Sequence, residues 1–520
     1  MRRLPLALAP DNRVPGPVAL VVVASVLLAG LGSPAGGTHP DEGLYLQAAR
    51  EMHDRRDWLT PTVDGRPDFT KPPLLYWAMR VSFALFGESL WAARLPVALA
   101  ALALVWVTGR LARRAAGPGA EPLAILVLGT CLGLLRYARV DLMDVPLALA
   151  VAVGLWACWR VAEGAPMRLL LVAGVAAGAA TLLKGPVGPV LMVAPAAVYL
   201  SRRRRLVGAL PWIAGAALVA AVLAAPWYLA MAHRHGEPFV LRFFGTENVG
   251  KFRFPWTLER ELELLLALPI LLLPWTPLVR VRAPGAALAW PWILALLLLY
   301  SLPGLKHPHY VVPALAPLAV LASGPGAGPG RLVSAALISF LGLAGALALR
   351  FPLAVPVRLG LVCVVLLLGG AAILVARGAV AAGAVAFAGG AVLLFGSVLP
   401  GAVPAPVPAW VAERAGSRPL FTATQNPGLY SFLLGRTVHR ASGEGPMLRA
   451  LEEGQALLVT RDERALLPPE VTARLRPLAT WPRLRGRLPV GDVVNAWLRA
   501  DTRELFEPMT LEVLETPPPG

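Results

Sequence analysis

The lysines of this chain are few and specifically placed. Four of its 48 lysine and arginine residues are lysine, and each lies in a short polar segment between apolar ones. They are Lys71, Lys184, Lys251 and Lys306. A lysine ammonium is a compact cation with three donors that suits a phosphate oxygen, whereas the arginine guanidinium is planar and bulkier. A GC-rich genome would explain why lysine is scarce, but not why these four residues lie where they do.

Acidic and polar residues fall in the same kind of segment. Asp41 and Glu42 open one of them, and Arg139, Asp141 and Asp144 follow in another. The further candidates are Glu247, Asn248, Arg253, His307, His309 and Tyr310. A carboxylate can accept the proton of a hydroxyl that attacks an anomeric carbon, while cations stabilise the negative charge growing on a departing phosphate. Together these residue types indicate glycosyl transfer.

The composition of the chain is that of a polytopic membrane protein. Hydrophobic residues make up 57% of the chain and charged residues 15%, and the mean hydropathy is +0.63. Cytoplasmic arginines and lipid phosphates explain the net charge of +17 better than a nucleic-acid partner does. Cys131, Cys158 and Cys363 lie in apolar runs, which favours buried packing over disulfides or a metal site.

Apolar segments predict about 13 transmembrane helices. Arginines, including the run at 202–205, alternate with them so that the positive-inside rule places the N-terminus in the cytoplasm and the C-terminus outside. The lysines and acidic candidates then share the outer face. The first segment could instead be a cleaved signal peptide, and the regions 167–200 and 286–323 contain short segments that could be re-entrant. The predicted spans are 14–36, 91–110, 121–138, 144–162, 167–183, 186–200, 206–227, 261–279, 286–303, 309–323, 331–349, 356–376 and 379–399.

The layout predicts two domains. Residues 1–400 form an all-α, polytopic transmembrane catalytic domain, in which residues 38–90 are a first external loop with helices lying along the membrane surface. After a Pro-rich linker, residues 401–520 have the composition of a small soluble α/β domain outside the membrane. This part of the sequence has no glycine-rich phosphate loop, dinucleotide fingerprint or calcium loop, so we expect no nucleotide or calcium there.

An external active site restricts the sugar donor. Nucleotide sugars are cytoplasmic, so we expect a sugar carried on a polyprenyl phosphate, with its apolar tail held among the transmembrane helices. The expected acceptor is a hydroxyl or phosphate of a lipid, glycan or protein. The external loops would set the choice of donor sugar and acceptor.

Several motifs are similar to those of a known family. The first external loop contains DEGLYLQAAREMHDRRDWLTPTVDGRPDFTKPPLLYWAMRVSFALFGESLWAARLP, and RVDLMDVPLAL, LLKGPVGPVL, PWYL with RFFGTENVGKF, and LKHPHYVVPALAPL follow in order. These motifs cover roughly residues 38–320 and resemble the bacterial aminoarabinose transferase type of GT-C glycosyltransferase, within the protein O-mannosyltransferase-like superfamily. The resemblance implies a GT-C fold and an inverting single displacement without a covalent sugar intermediate.

The same resemblance implies roles for individual residues. Asp41 would act as the base or orient the acceptor, with Glu42 adjacent, and the second acidic position maps onto Asp144 or, alternatively, Asp141. Lys71 would bind the donor phosphate. Its expected helpers are Arg253 or Lys251, Tyr310 and Lys306, and the expected substrate contacts are Arg139, Asp141, Glu247, Asn248, His307 and His309.

Two positions depart from the pattern of relatives that bind a metal. Such relatives carry Glu just before the lysine and His after the glutamate of the fourth external loop. This chain has Thr70 and Asn248 there. Since neither side chain matches the ligand type of those relatives, we expect that no cofactor is required, with a divalent metal as the less favoured alternative.

Each candidate also has a structural interpretation. Asp41 and Asp144 could cap helices, since aspartate is favoured at N-caps and in first turns. Lys71 could extend from an interfacial helix to the membrane surface, although the prolines that follow it indicate a turn. We interpret Lys184 as a residue at the membrane boundary.

Two other functions stay open at this stage. A transporter or flippase of a lipid-linked sugar would place charge at the bilayer midplane in discontinuous, repeated helices. In this sequence the charge concentrates on one predicted face and no internal repeat is evident. An inactive relative could serve as a scaffold subunit, but the presence of both Asp41 and Lys71 argues against it.

Overall fold

Helices make up most of the first 400 residues. The computed structural model describes residues 14–36, 39–253, 255–304, 306–324, 328–423, 427–441, 443–485 and 505–514. Long apolar runs that contain small residues favour helices that pack closely in a membrane. The first nine are α1 (Gly16–Leu28), α2 (Pro40–Asp54), α3 (Leu74–Phe86), α4 (Leu90–Ala116), α5 (Ala120–Gly129), α6 (Leu132–Tyr137), α7 (Asp144–Ala162), α8 (Leu170–Lys184) and α9 (Val187–Arg202). A short antiparallel hairpin, β1 (Thr62–Val63) and β2 (Arg66–Pro67), lies between α2 and α3.

A widened helical segment follows the longest helix. After α10 (Leu206–His235) and α11 (Glu237–Val240), the chain forms a π-helix over Leu241–Asn248 and a 3-10 helix over Val249–Arg253. π-helices are rare and occur frequently at functional sites. The next helices are α12 (Leu258–Leu271), α13 (Ala286–Ser301), α14 (Leu315–Ala322, after a 3-10 helix over Pro308–Ala314), α15 (Gly330–Ala348), α16 (Val355–Ala376), α17 (Val380–Leu393) and α18 (Leu399–Ala402, after a π-helix over Leu394–Val398).

Within the described residues, seven helices are long and apolar enough to cross a membrane. They begin at Leu90, Asp144, Met167, Leu206, Gly330, Val355 and Val380. Five shorter apolar helices coincide with further predicted spans, namely Gly16–Leu28, Ala120–Gly129, Val187–Arg202, Ala286–Ser301 and Pro308–Ala322. A perpendicular span needs about 20 residues. The protein is therefore a multi-pass membrane protein, and the layout of about 13 spans stays a prediction.

The first two helices of the predicted external loop pack together. α2 buries Tyr45, Leu46, Ala49 and Met52. The ring of Tyr45 meets that of Tyr76 on α3 edge to face, with 5.9 Å between their centroids. We predicted helices lying along the membrane surface, and that position stays a prediction; α2 itself is part of the protein core. It therefore holds its first turn, which carries Asp41, in a fixed position.

A five-stranded mixed sheet forms near the C-terminus. The strand order is β4-β3-β5-β7-β6, with β3 parallel to β4 and β5, and β7 antiparallel to β5 and β6. The strands are β3 (Leu420–Thr422), β4 (Val438–Arg440), β5 (Ala456–Thr460), β6 (Leu475–Leu484) and β7 (Phe506–Leu514). The helices are α19 (Trp410–Ala415), α20 (Pro427–Leu434), α21 (Glu444–Glu452), α22 (Arg461–Arg464) and α23 (Pro469–Ala473). Four of these elements overlap segments whose sequence patterns predict them: β3, β5 and β6 overlap PLFTAT, GQALLVTRDE and PLATW, and α20 overlaps the helical pattern at 427–434.

Helix α20 of this region lies directly on α2. A Cβ atom added to Gly428 would fall 1.9 Å from the carbonyl oxygen of Gly43, so the two backbones touch without room for a side chain. Arg50 of α2 donates from Nη1 to the Ser431 carbonyl at 2.9 Å. The C-terminal sheet and its helices are thus joined to the helix that carries Asp41.

Candidate active site

A buried ion pair joins the ends of two membrane helices. Asp144 is the first residue of α7 and Lys184 the last of α8. Lys184 Nζ donates to Asp144 Oδ1 at 2.6 Å, and the two side chains are 12% and 5% exposed. The acid stands at a helix N-terminus and the cation at a C-terminus, the arrangement that helix dipoles favour. Lys184 Nζ also lies 4.8 Å from the ring centre of Tyr310, within cation–π range.

Three of the four lysines line one cavity. It has a volume of about 80 Å³, and Lys71, Lys184 and Lys251 all border it. Glu247 is the single carboxylate in that lining. Burial, and repulsion by Lys71 and Lys184, lower the pKa of Lys251 to about 8. The cavity therefore holds an excess of positive charge that an anionic ligand would offset.

The π-helix supplies the counter-charge of this cavity. Glu247 Oε2 lies 3.7 Å from Lys71 Nζ, and Glu247 Oε1 lies 3.1 Å from Arg242 Nη2. Asn248 donates from Nδ2 to the Phe243 carbonyl at 2.7 Å. The Glu247 carboxylate thus contacts both Lys71 of the cavity and the more exposed Arg242. The Asn248 hydrogen bond stabilises the π-helical turn that carries Glu247.

Asp41 stands next to the lysine cavity rather than in its lining. The N-cap of α2 is His39, whose Nδ1 accepts from the Asp41 backbone N–H at 3.2 Å. The Asp41 side chain is 48% exposed and lies 4.0 Å from the His39 ring nitrogen. Among the described residues, no donor hydrogen-bonds to its carboxylate. Asp41 is therefore in the first turn without being the cap, and its carboxylate is available to accept a proton.

A chain of aromatic contacts runs from His39, beside Asp41, to Tyr310 in the cavity lining. His39 packs on His309 at 5.4 Å, and His309 packs on Tyr310 at 4.9 Å, both edge to face. His307 stacks on His309 with 5.2 Å between ring centres. Burial lowers the pKa of His307, although the negative charge of Asp41 acts in the opposite direction. These histidines and Tyr310 come from the predicted LKHPHY segment, and Tyr310 is the member that borders the cavity.

Glu42 has a different position from the one expected. We predicted a catalytic carboxylate, but its side chain is fully buried and Arg94 Nε donates to its Oε1 at 2.8 Å. Arg94 Nη1 also donates to the carbonyls of Leu31 and Ser33, at 3.0 and 2.8 Å. The pair fixes the start of α2 against the end of the first apolar segment. Sequence reasoning missed Arg94, although a charged residue inside a predicted span is itself a signal.

Arg139 and Asp141 also lie away from the lysine cavity. Arg139 donates to the carbonyls of Val26 and Ala29 and packs over the Phe395 ring at 3.9 Å. The Asp141 carboxylate is fully buried, and burial together with the negative charge of Glu42 raises its pKa. The hydrogen bonds of Arg139 thus tie the 139–144 turn to the first helix. Of the two alternatives for the second acidic position, Asp144 is the one that contacts a cavity lysine.

One expected phosphate ligand, Lys306, lies away from the cavity lining. Lys306 Nζ lies 3.1 Å from Glu261 Oε2 and donates to the Pro303 carbonyl at 2.9 Å, and its side chain is 1% exposed. It therefore neutralises a buried acid instead of facing the cavity. The side chain of Arg253 lies outside the described part of the structure. Lys184, which we interpreted as a boundary residue, takes a place in the cavity lining.

The residues at the expected metal positions do not fit a metal. Thr70 donates from Oγ1 to Asp68 at 2.8 Å, and the Asn248 amide is engaged as described above. Within the described residues, no group of three or more His, Cys, Asp or Glu side chains is arranged to hold an ion. A hydroxyl and an amide that already serve as donors are poor ligands for a divalent cation. We assign no chemical step to a metal.

Comparisons with known proteins identify relatives of this chain by sequence. Residues 70–229 match the family described as dolichyl-phosphate-mannose-protein mannosyltransferase. The chain is 32% identical over 307 residues to the undecaprenyl phosphate-alpha-4-amino-4-deoxy-L-arabinose arabinosyl transferase 2 of Pseudomonas fluorescens, covering 54% of this chain and 51% of that protein. It is 31% identical over 310 residues to the corresponding transferase of Pseudomonas aeruginosa, covering 54% of each. The chain thus spans about half the length of the curated relatives it matches.

Solved structures extend the similarity to nearly the whole chain. The crystal structure of ArnT from Cupriavidus metallidurans in the apo state has a TM-score of 0.69 at 23% identity, covering 95% of this chain and 97% of that one. The same protein bound to undecaprenyl phosphate gives the same TM-score and coverage at 21% identity. The resemblance seen in the sequence motifs is confirmed: this chain is similar to the aminoarabinose transferases and shares their GT-C fold.

Proposed function

We propose that this protein is a membrane glycosyltransferase that moves a monosaccharide from a polyprenyl phosphate to a lipid, glycan or protein acceptor. The observation that carries the proposal is the cavity with three lysines, next to a carboxylate that accepts no hydrogen bond among the described residues. The related ArnT structure with undecaprenyl phosphate bound supports a donor of this kind. Aminoarabinose is the sugar named for the sequence relatives, and we propose lipid A modification as the matching role.

In this proposal, the lysine cavity binds the donor phosphate. Lys71, Lys184 and Lys251 surround the phosphate oxygens, and the Tyr310 hydroxyl is a further donor in the lining. When the bond between the anomeric carbon and the phosphate oxygen breaks, negative charge grows on the phosphate. Cations that are already in place stabilise this charge more in the transition state than in the ground state, which accelerates the reaction.

The acceptor enters on the side of Asp41. Its hydroxyl oxygen forms the new bond to the anomeric carbon from the face opposite the leaving phosphate, so the reaction inverts that centre. Asp41 takes the hydroxyl proton, and the free polyprenyl phosphate is the second product. Asp144 acts through Lys184, which it holds at 2.6 Å, and is a positioning residue.

We infer the position of the site relative to the membrane from the helix ends. The end of α8 lines the cavity and the start of α7 contacts it through the Asp144–Lys184 pair, whereas Arg160 and Arg168 lie at the opposite ends of these segments. By the positive-inside rule the arginines face the cytoplasm. We therefore place the site on the outer face of the cytoplasmic membrane, with about 13 spans in residues 1–400 and an external α/β domain in residues 401–520.

The proposal is tested by turnover with purified protein. Undecaprenyl phosphate sugars, with aminoarabinose first, are incubated with candidate acceptors, and product formation by Asp41→Asn and Lys71→Ala is compared with that of the unchanged protein. Asp54→Asn, at the other end of α2 and with a 54% exposed side chain, is the matched control. We expect a loss of about 100-fold or more for the two site variants, as is typical for a general base or a charge-stabilising group. Undiminished turnover in both would remove this site.

A further inference from the structure

A second charged cavity lies at the opposite end of the membrane helices. It has a volume of about 460 Å³ and is formed between the C-terminal parts of α4 and α7. We call it the arginine cavity, and its defining residues are Arg110, Arg113, Arg114, Arg160, Trp106 and Trp156. α7 runs from Asp144 at the active site to this cavity, and the 16 residue steps to Arg160 correspond to about 24 Å along the helix. The two cavities are therefore separate sites on opposite faces.

The arginine cavity carries more positive than negative charge. Glu121 pairs with Arg110 at 3.4 Å and with Arg113 at 3.0 Å, and Glu163 pairs with Arg114 at 3.0 Å. Four arginines against two glutamates leave an excess of two positive charges. Each guanidinium has five N–H donors, so a single bond to a carboxylate leaves most of them for a ligand.

The arginines remain accessible despite these ion pairs. The side chains of Arg110, Arg113 and Arg114 are 47%, 50% and 41% exposed. Arg160 carries a buried Nε that has no hydrogen-bond partner among the described residues. Its guanidinium carbon lies 6.0 Å from the Trp156 ring centre. The two glutamates thus fix the positions of Arg110, Arg113 and Arg114, while these side chains stay accessible to a ligand.

The walls of the arginine cavity suit a ligand that is anionic at one end and apolar at the other. Trp106 lies one turn before Arg110 on α4 and is 50% exposed, and Val153 and Trp156 precede Arg160 on α7 in the same way. The apolar residues therefore lie toward the membrane interior and the arginines toward its surface. Tryptophan and arginine occur together at the level of lipid headgroups, and basic pockets between transmembrane helices bind anionic headgroups.

We propose that the arginine cavity binds an anionic diacyl phospholipid of the leaflet opposite the active site. The phosphate diester lies among the four arginines, whose planar, forked donors match its oxygens. The acyl chains run along Trp106 and Trp156. A soluble phosphate ester would use only the charged half of this site, and a neutral lipid only the apolar half.

The test measures lipid retained by the purified, full-length protein in native mass spectrometry. The probes are phosphatidylglycerol and phosphatidylcholine at equal concentration, with glycerol 3-phosphate as a competitor. We expect the unchanged protein to retain phosphatidylglycerol preferentially, and the double variant Arg110→Gln/Arg160→Gln to retain about tenfold less. Arg168→Gln is the control: Arg168 is exposed on the same side of the membrane but lies outside the arginine cavity. We expect this variant to retain as much phosphatidylglycerol as the unchanged protein.

Three results would overturn the proposal. One is equal retention of the two lipids by the unchanged protein, which needs no variant and so does not depend on folding. Another is unchanged phosphatidylglycerol retention in a double variant whose helix content and thermal midpoint match those of the unchanged protein. The third is displacement of the lipid by millimolar glycerol 3-phosphate, which would assign the cavity to a soluble phosphate ester.

Discussion

Lys184 Nζ lies 2.6 Å from Asp144 Oδ1, so the end of α8 and the start of α7 are joined at the edge of the lysine cavity. Both side chains are largely buried, and breaking such a pair leaves one uncompensated charge. A buried charge without a partner costs about 3–5 kcal/mol. This ion pair therefore contributes both to the fold and to the proposed binding of phosphate.

The first prediction separates these two contributions. Asp144→Asn and Lys184→Met should each lower the stability by about 3 kcal/mol, and the double variant should recover most of this loss because no lone charge remains. Donor turnover should stay low in the double variant, since the cation is gone. Thermal unfolding in detergent and a turnover assay measure the two effects. A double variant that also regains full turnover would show that Lys184 has no role in binding.

The second prediction concerns pH and Lys251. Its pKa is lowered to about 8, so the side chain is charged below that pH and loses its proton above it. Affinity for undecaprenyl phosphate should therefore fall as the pH rises from 7 to 9.5. Arginine keeps its charge throughout this range, so Lys251→Arg should flatten the dependence. Ligand titrations at several pH values measure it, and identical profiles for both proteins would contradict the assignment.

The same lowered pKa has a consequence for stability. Between pH 8 and the ordinary lysine value of 10.5, the folded protein binds fewer protons at Lys251 than the unfolded chain does. The free energy of unfolding contributed by this group should therefore rise with pH across that window and be at its lowest below pH 8. Lys251→Met should remove this contribution, which thermal midpoints measured at pH 7.5 and 9.5 would show. A rise of equal size in the variant would assign the dependence to other groups.

The third prediction concerns Arg94 and Glu42. Arg94→Met should destabilise the protein by about 3 kcal/mol or more, because a fully buried glutamate loses its partner. Arg94→Met/Glu42→Gln should recover much of the stability. Since the pair fixes the start of α2, we expect kcat to fall in both variants while the KM for the donor changes little. A change confined to KM would place these residues at the donor instead.

The fourth prediction tests the contact between α20 and α2. Gly428→Val would place side-chain atoms where the Gly43 carbonyl lies, so α20 must move away from α2. We expect a lower thermal midpoint and reduced turnover, since α2 carries Asp41. Gly445→Ala is the matched control, because its added Cβ would meet Arg449 Nη1 at an ordinary 3.7 Å. Equal behaviour of the two variants would show that this contact is dispensable.

The fifth prediction concerns metal removal. Thr70 and Asn248 are engaged as hydrogen-bond donors and are poor ligands, so treatment with a chelator should change turnover little. Turnover before and after dialysis against the chelator measures this directly. Activity that is abolished and then restored by a divalent cation would show the prediction wrong.

Sequence reasoning located part of the site. Lys71 and Tyr310 stand in recognisable motifs, and both line the cavity. Lys184 was misjudged because a lysine at a helix end looks like a boundary residue until its partner is known, and Asp144 is 40 positions away in sequence. The partner of Lys306, Glu261, is likewise distant in the chain. Pairings of this kind depend on helix packing, which apolar periodicity does not specify.

The C-terminal region was easier to read than the first external loop. β5 lies in the apolar run GQALLVTRDE and α20 in residues 427–434, where the sequence patterns predict a strand and a helix. α2 has an amphipathic pattern that fits either a membrane surface or a protein surface. In the structure, α2 packs against α20 through the close contact between Gly43 and Gly428. This tertiary contact cannot be read from the amphipathic pattern of α2.

Glu247 gives the lysine cavity an anion that belongs to the protein itself. It lies near Lys71 and also near Arg242, so it can leave the lysine without losing a cation. The phosphate of an arriving donor would then replace the Glu247 carboxylate beside Lys71, instead of binding to lysines that have no counter-charge. In the proposed reaction, the polyprenyl phosphate product must depart before the next cycle, and the returning carboxylate would compete with it. A residue that weakens substrate binding can in this way speed the release of product.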